Sequence, residues 1–225
     1  MHTQAVEDYL KAVYEIGRAE GRVATSALAA RLGVAPASVT GMVKKLAEMK
    51  LVKHERYYGV TLTAGGRRIA VEVIRHHRLI ETYLHEALGV PWDAVHAEAE
   101  KWEHVLSEDL EARMDAALGH PTTDPHGAPI PTPTLELVEE DHPPLARLDA
   151  GQRGVVAEVS DHDPALLRYI GDLGLYPGTA FEILAGPPYS EGPVTVRLLD
   201  GPQRRKEHAV GHRAAAHIFV KGVEG

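Results

Sequence analysis

The sequence predicts a mostly α-helical protein with a small β domain. A winged helix-turn-helix comes first, a helical segment follows, and an SH3-like barrel of short strands closes the chain. Three observations carry this. Apolar residues recur at helical spacing through most of the first 118 positions. A short helix, a Gly-containing turn, an amphipathic helix and a basic hairpin follow one another near the N-terminus. From Arg147 onward, short β-prone runs alternate with Gly and Pro clusters.

Composition bounds the function. The 225 residues are 44% hydrophobic, enough for one large domain or two to three small ones. No apolar run approaches the roughly 20 residues needed to span a bilayer. Met1–His2–Thr3–Gln4 lacks the basic and apolar regions of a signal peptide. A cytoplasmic protein with no membrane partner is therefore expected. Cysteine is absent, so any metal site must use nitrogen and oxygen donors, which disfavours structural zinc and copper(I). The net charge of −8 is unevenly spread. Residues 1–80 hold 13 Lys and Arg against 7 Asp and Glu, a net of +6, while the remainder holds 11 against 25, a net of −14. A basic N-terminal third on an acidic body is the footprint of local polyanion binding.

Val6, Tyr9, Leu10, Val13 and Tyr14 predict a first helix that Gly17 and Gly21 stop, with Asp8 off its apolar stripe. Thr25 and Ser26 are expected to cap a second helix, Ala27 to Leu32. Gly33–Val34–Ala35–Pro36 makes a tight turn, and Pro36 suits the start of a third helix, about 36–50. Val39, Met42, Val43, Leu46 and Met49 form its apolar side; Ser38, Thr40, Lys44 and Lys45 its polar side. In a helix-turn-helix the second helix enters the DNA major groove. Pro36, Ala37, Ser38 and Thr40 would then lie near the bases, Lys44 and Lys45 near phosphate, and Thr25 and Ser26 at the edge of the same surface. Leu51 to Thr63 reads as two β arms about Tyr58–Gly59, a wing whose Lys53 and Arg56 would meet phosphate or the minor groove. Surface lysines on a generic helical hairpin are the simpler alternative. Spacing, wing and local charge together favour DNA.

Thr63 caps a long helix, about 64–88, on which His77 and Glu81 share a face. After Gly89–Val90–Pro91, no Gly or Pro interrupts Asp93 to Leu118, and His96 to His104 is expected to be helical. At about 100° per residue, His96, Glu100, Glu103 and His104 fall within an arc of roughly 80–100°. Val95, Trp102, Val105 and Leu106 would face the core. Carboxylates three residues apart repel unless a cation joins them; a solvated polar face is the alternative. Ser107 opens a further helix to about Leu118. Wide apolar surfaces on these helices suggest a dimerisation core, so a homodimer would offer two recognition helices to two half-sites. Residues 120–146 are proline-rich linker, where Asp124 and His126 stand two apart in a stiff loop. Strands are expected at 155–159, 181–184, 194–198 and 217–220, with one helix at Pro164–Leu173 and with Glu158 and Asp161 closing the first strand. The expected domains are 1–63, 64–141 with the linker from about 120, and 147–225.

Val39–Thr40–Gly41–Met42–Val43–Lys44–Lys45–Leu46, Leu62–Thr63–Ala64–Gly65–Gly66, His77–Arg78–Leu79–Ile80–Glu81 and Trp102–Glu103–His104 resemble, in this order, the diphtheria-toxin-repressor/manganese-transport-regulator family of metal-activated transcription repressors. Pro125–Pro131 resembles that family's interdomain segment, and Leu173–Gly178 its SH3-like (FeoA-like) domain. The resemblance implies a primary metal site of Asp8, Glu100, Glu103 and His104. Iron-responsive members carry Met and Cys at the first two of these positions. Asp8 and Glu100 match the manganese-responsive members, and carboxylates favour harder ions such as Mn²⁺, with Fe²⁺ as competitor. For a second site, one family version implies His77, Glu81 and His96 with Glu158 and Asp161. Another implies Glu81, Asp124, His126 and Asp161, and is preferred. Members lacking the C-terminal domain carry Glu where this chain has Lys11, which argues against their two-metal cluster. The expected function is a dimeric, Mn²⁺-activated repressor that binds double-stranded operator DNA and controls manganese uptake genes. The alternatives are an iron(II)-dependent repressor of the same architecture and a metal-independent, ligand-sensing regulator. An enzyme is not expected, since a metallohydrolase would leave the DNA-binding head unexplained and no HExxH is present.

Overall fold

The computed structural model describes residues 3–55, 58–138, 140–186 and 191–225, with the side chains of 19 and 20 left undescribed. The chain divides into two units. The first comprises Met1–His77, Glu100–Ala112 and Pro131–Leu137; the second comprises Arg78–Ala99, Arg113–Ile130 and Val138–Gly225. No single helix is long and apolar enough to cross a membrane.

In the first unit, α1 (Gln4–Glu20), α2 (Thr25–Leu32) and α3 (Pro36–Glu48) precede a two-stranded hairpin, β1 (Val52–Glu55) and β2 (Gly59–Leu62). The strands are antiparallel, with Val52 opposite Leu62 and Glu55 opposite Gly59. Leu10, Val23, Leu28, Val39, Val43, Leu46 and Val60 are fully buried in one core, which explains why the helical spacing of apolar residues located α1 and α3. Two expectations are corrected here. Helix α1 runs through Gly17 and stops at Gly21, whose φ of 71° is left-handed. An internal glycine costs only about 1 kcal/mol, and a Cβ at Gly17 would stand 3.6 Å from Val23. Thr25 and Ser26 lie within α2 and do not cap it. Val23 pairs with Val60 through two backbone hydrogen bonds (3.0 and 2.8 Å), so the chain is already turned and α2 starts after Ala24. Arg56 lies outside the described residues.

Helix α4 (Ala64–Glu86) begins as expected at Thr63, whose hydroxyl accepts the Gly66 N–H at 3.1 Å. A Cβ on Gly66 would fall 2.0 Å from the Leu51 carbonyl oxygen, so the wing and α4 approach one another only because that residue is glycine. Helix α5 is shorter than the sequence predicts: it covers Val95–Trp102, and α6 (Glu108–Ala117) follows after a break. The Val105 N–H donates to Trp102 O at 3.1 Å, and the Glu103 carbonyl accepts from His76 Nδ1 at 3.0 Å instead of continuing the helix. Glu103 and His104 therefore stand in a turn. The predicted core stripe fails with the helix: Val95 is buried, but Trp102 and Val105 are exposed.

The second unit is built on a five-stranded antiparallel sheet of SH3-like type, in the order β6-β5-β4-β3-β7. Its strands are β3 (Arg153–Val159), β4 (Ala180–Ala185), β5 (Val194–Leu198), β6 (Glu207–Val210) and β7 (Ile218–Glu224). The helices α7 (Pro164–Asp172) and α8 (His212–Ala215) accompany it. Phe181, Leu167, Ile170, Leu175, Val194 and Val196 are its fully buried centre, and Trp92 packs on it against Tyr176, with ring centroids 4.8 Å apart. The sequence reading omitted β6 and α8. Strand β6 is an edge strand with one buried residue, Val210, so it carries little alternation. Strand β3 shifts register against β7 between Val156 and Glu158. At its end the Val159 N–H donates to the His126 carbonyl (2.9 Å), which docks the 124–128 turn onto the strand.

Candidate metal centres and nucleic-acid interface

In the first unit, α1 presents Glu7, Asp8 and Lys11 from neighbouring turns toward the turn that carries Glu103 and His104. His104 Nδ1 donates to Glu7 Oε2 at 2.7 Å. Its other nitrogen, Nε2, is buried and stands 2.8 Å from Asp8 Oδ1 and 3.4 Å from Glu103 Oε1. Ligand atoms of Asp8, Glu103 and His104 all lie within 4.8 Å of one another. An imidazole nitrogen and two carboxylates converging at this distance form a donor set of the kind that suits a divalent cation. Glu7 is the outer carboxylate that sets the ring's tautomer and orientation.

Glu100, predicted as the fourth ligand, is not in that group. Its Oε1 accepts from Lys11 Nζ at 2.8 Å. The same ammonium donates to both oxygens of Glu103 (2.9 and 2.8 Å) and lies 3.1 Å from His77 Nδ1. His77 Nδ1 in turn contacts Glu103 Oε2. Burial pulls the Lys11 pKa down, but Glu103 and Glu100 outweigh it and the net shift is upward. Burial likewise opposes the charged form of His104, and its hydrogen bonds to Asp8 and Glu7 push it up to about 9.

The turn itself is braced by residues the sequence reading did not select. His76 Nδ1 meets the Glu103 carbonyl and its Nε2 meets Glu111 Oε2 at 3.0 Å. Both partners are acceptors, so these contacts favour the charged form of His76. Its pKa rises accordingly against the cost of burial. Arg75 also donates to Glu111 and to the Pro131 carbonyl. No spacing rule links positions 76, 103 and 111, and only the packing of α4 on this turn reveals them.

In the second unit, ligand atoms of Glu81, Asp124 and His126 lie within 4.8 Å of one another, and all three residues are buried. His126 Nε2 donates to the Trp92 carbonyl at 2.8 Å, which leaves Nδ1 to take a proton or a cation, 3.8 Å from Glu81 Oε2. Asp124 Oδ1 accepts the backbone N–H groups of His126 (2.8 Å) and Ala128 (3.0 Å). Asp124 Oδ2 and His126 Nδ1 have no hydrogen-bond partner among the described residues. Gly127, at φ 91°, makes this turn possible, since a Cβ there would lie 2.1 Å from the Ala157 carbonyl oxygen. Burial, then the nearby Glu81 charge, pushes the Asp124 carboxyl up to about 7. Burial opposes charge on His126, but Glu81 outweighs it and pushes the imidazole up to about 9.

His96 Nδ1 lies 3.2 Å from Glu81 Oε1 and 3.3 Å from Asp161 Oδ2, so the two second-site ligand sets expected from the sequence adjoin through Glu81. Asp161 Oδ1 also meets His162 Nδ1 at 2.9 Å, a residue the sequence reading passed over. Glu158, half-buried on β3, is outside every converging group found among the described residues. His77 makes its contacts with Lys11 and Glu103.

Of the residues expected to face DNA, Pro36, Ala37, Ser38, Thr40, Lys44 and Lys45 are exposed along α3, and Lys53 is exposed on β1. Ser26 is exposed and Thr25 half-buried. The Thr40 hydroxyl donates to the Pro36 carbonyl at 3.0 Å, within its own helix. Beside the wing, Arg22 pairs with Glu55 at 2.6 Å and lies over the Tyr58 ring.

Comparison with known proteins agrees with this geometry. Residues 1–60 match the iron dependent repressor N-terminal DNA binding domain, 63–132 the iron dependent repressor metal binding and dimerisation domain, and 144–222 the FeoA domain. The chain is 32% identical to the iron-dependent repressor IdeR of Mycobacterium tuberculosis over 219 residues, 92% of this chain and 94% of that one. It is 36% identical to the HTH-type transcriptional regulator MntR of Oceanobacillus iheyensis over 107 residues, 48% of this chain and 72% of that one. A solved manganese-dependent transcriptional repressor in complex with manganese superposes with a TM-score of 0.88 at 38% identity, covering 96% of this chain and 98% of that one. With the winged helix-turn-helix, the converging carboxylate and imidazole ligands and a full-length relative all in agreement, the chain belongs to the diphtheria-toxin-repressor/manganese-transport-regulator family of metal-dependent, DNA-binding transcription repressors.

Proposed function

We propose that this repressor is activated by Mn²⁺, acts as a homodimer on double-stranded operator DNA, and controls genes of manganese uptake. One observation carries the metal assignment: Asp8, Glu103 and His104 converge with oxygen and nitrogen donors only. Hard donors suit Mn²⁺ over the later, softer divalent ions. When bound, the ion supplies positive charge that joins the three ligands. Asp8 belongs to the first helix of the DNA-binding head, and Glu103 and His104 to the turn after α5, so bringing them together fixes α1 against that turn. Glu7 holds the His104 ring in place, and His76 holds the backbone from which Glu103 and His104 project. Binding shifts the population of head orientations by no more than its differential affinity for the competent one. Lys44, Lys45 and Lys53 then contact phosphate, and the N-terminal residues of α3 approach base edges. Glu81, Asp124, His126 and Asp161, with His96 adjoining, are proposed as a second metal set.

A second reading is the same switch driven by Fe²⁺, favoured by the full-length likeness to an iron-dependent repressor. Operator binding followed by fluorescence anisotropy during Mn²⁺ and anaerobic Fe²⁺ titrations separates the two. Activation by Mn²⁺ at the lower free concentration supports manganese. Activation by Fe²⁺ alone overturns it in favour of iron. Metal-dependent operator binding that survives both Asp8→Ala and Glu103→Ala overturns the site.

A further inference from the structure

Glu55 is the only acid between Leu51 and Thr63, a stretch that otherwise carries Lys53 and Arg56. A carboxylate in a wing that meets DNA repels phosphate, so its presence needs a cause. Its partner comes from another segment. Arg22 Nη1 donates to Glu55 Oε2 at 2.6 Å, and the guanidinium stands 5.7 Å from the centre of the Tyr58 ring, a residue 70% exposed. Arg22 belongs to the link between α1 and α2, yet this link is held to the wing as a further strand would be. Val23 exchanges two backbone hydrogen bonds with Val60, at 3.0 and 2.8 Å. A Cβ on Gly59 would fall 2.7 Å from the Val23 carbonyl oxygen, so the close approach depends on glycine there. Lys53 and Glu55 lie two apart on β1 and therefore share a strand face, opposite the buried Val52. Through Glu55, Arg22 joins the face that carries Lys53. Both members of the pair are about half-exposed, at 51% and 57%, and the bond uses one of the five N–H donors of the guanidinium.

We propose that Arg22 is a phosphate-contacting residue of the wing, and that the Glu55 carboxylate stands in for phosphate while no DNA is bound. A carboxylate oxygen offers the guanidinium the same charge-assisted acceptor as a phosphate oxygen. An exposed ion pair of this kind is weak, up to about fivefold in an equilibrium constant, so duplex DNA displaces it at small cost. The exchange adds one neutralised phosphate per chain, with release of its condensed counterion. Tyr58 keeps the guanidinium at the wing through its ring face, so Arg22 is in place before DNA arrives. Glu55 lowers the attraction of the wing for any polyanion until the α3 contacts bring phosphate within reach. The inference rests on the reading that the Lys53 face of the wing meets DNA.

The test follows Mn²⁺-loaded full-length protein by fluorescence anisotropy on labelled duplexes of random and of A·T-rich sequence, from about 50 to 200 mM salt. The variants are Arg22→Gln, Arg22→Lys, Glu55→Gln and the double Arg22→Gln with Glu55→Gln, beside the wild type and Lys44→Ala with Lys45→Ala. Arg22→Gln is expected to lower the salt slope by about 0.9 per chain, and Arg22→Lys, which keeps the charge, to hold it near the wild-type value. Glu55→Gln is expected to tighten binding up to about fivefold per chain, and that gain is expected to vanish once Arg22 is glutamine. An equal gain with and without Arg22 overturns the stand-in role of Glu55. A wild-type slope in Arg22→Gln, where Lys44→Ala with Lys45→Ala lowers it, overturns the phosphate contact and leaves DNA binding by α3 standing. A slope lowered equally in Arg22→Lys and Arg22→Gln reports lost structure and overturns it as well. A loss confined to the A·T-rich duplex overturns it in favour of a minor-groove contact. No salt-dependent binding by the wild type overturns the DNA-binding reading and the inference together.

Discussion

Glu7→Gln isolates what a charged residue outside the ligand set contributes to metal affinity. The Glu7 carboxylate accepts from His104 Nδ1 at 2.7 Å, and this bond directs Nε2 toward Asp8 and Glu103. Glutamine keeps the shape and a carbonyl acceptor but removes the charge. A hydrogen bond to a charged group contributes about 1.5–3 kcal/mol and a neutral one about 0.5–1.5 kcal/mol. The difference of about 1–2 kcal/mol weakens Mn²⁺ binding about 5- to 30-fold, overlapping the roughly 10- to 100-fold cost of losing an outer partner of a metal-bound histidine. Isothermal calorimetry of the metal-free protein with Mn²⁺ reads this directly. The pH dependence sharpens it. In the metal-free protein burial opposes protonation of His104, but Asp8 and Glu7 hold its pKa at about 9. Below that value Mn²⁺ must displace a proton, and apparent affinity falls about tenfold per pH unit. Glu7 strengthens the hold on that proton as well as on metal, so the gap between wild type and Glu7→Gln narrows as pH falls. Affinities equal within about twofold, where at least fivefold is expected, or a gap that widens toward low pH, would refute the reasoning.

Three further outcomes are expected. Gly127→Ala forces a side chain into a φ of 91° and against the Ala157 carbonyl, which costs about 1–3 kcal/mol from backbone strain alone; a thermal melt should fall and the stabilisation conferred by excess Mn²⁺ should shrink, and an unchanged melt would count against the docked turn. Lys44→Ala with Lys45→Ala removes two exposed cations of α3 and should weaken binding uniformly across operator sequences, lowering the salt slope by up to about 2 at roughly 0.9 per phosphate contact; a loss confined to one base position would place them at bases instead. In the metal-free protein burial opposes the charged forms, but Asp161 and Glu81 raise His96 to about 10, and Glu81 raises His126 to about 9. Both folded values exceed the unfolded value of about 6.5, so this contribution to stability is complete below about pH 6.5 and is lost as pH rises through 9 to 10; melting temperatures between pH 6 and 10 should fall without metal and fall less with Mn²⁺.

Much of the fold was legible because its signals are local. The apolar spacing of Val39, Val43 and Leu46, the Gly33–Pro36 turn and the Thr63 cap each lie within one helix or its ends, and each appears in the structure. The site was legible only in part. Asp8, Glu103 and His104 do converge, and Glu100 groups with Glu103 and His77, but the helical-wheel reasoning that placed His96, Glu100, Glu103 and His104 on one face assumed a helix through His104. Helix α5 ends at Trp102, because His76, 27 positions earlier, takes the Glu103 carbonyl. Periodicity carries no information about such a competitor. Asp124 and His126 were weak evidence at a spacing of two, and what joins them is Glu81, more than forty positions earlier on α4.

Each ligand set joins one residue inside a helix, Asp8 on α1 or Glu81 on α4, to two where regular backbone stops, and the cause of the second placement is physical. Within a helix or a strand ladder the main-chain N–H and C=O groups are consumed by the element itself, so its side chains are held only by packing. Where the element ends, those groups need other partners, and a side chain that supplies one is itself fixed in return. His76 takes the Glu103 carbonyl and thereby anchors the turn from which Glu103 and His104 reach Asp8. Asp124 spends Oδ1 on two backbone N–H groups, which fixes Oδ2 inward, and His126 is set by its Nε2 bond to the Trp92 carbonyl and by its own carbonyl's bond to Val159. The ligand atoms are thus positioned by main-chain hydrogen bonding that exists without metal, and the ordering entropy is spent on folding. If these sets hold an ion as proposed, affinity depends also on groups that never touch it, Glu7 and His76 among them.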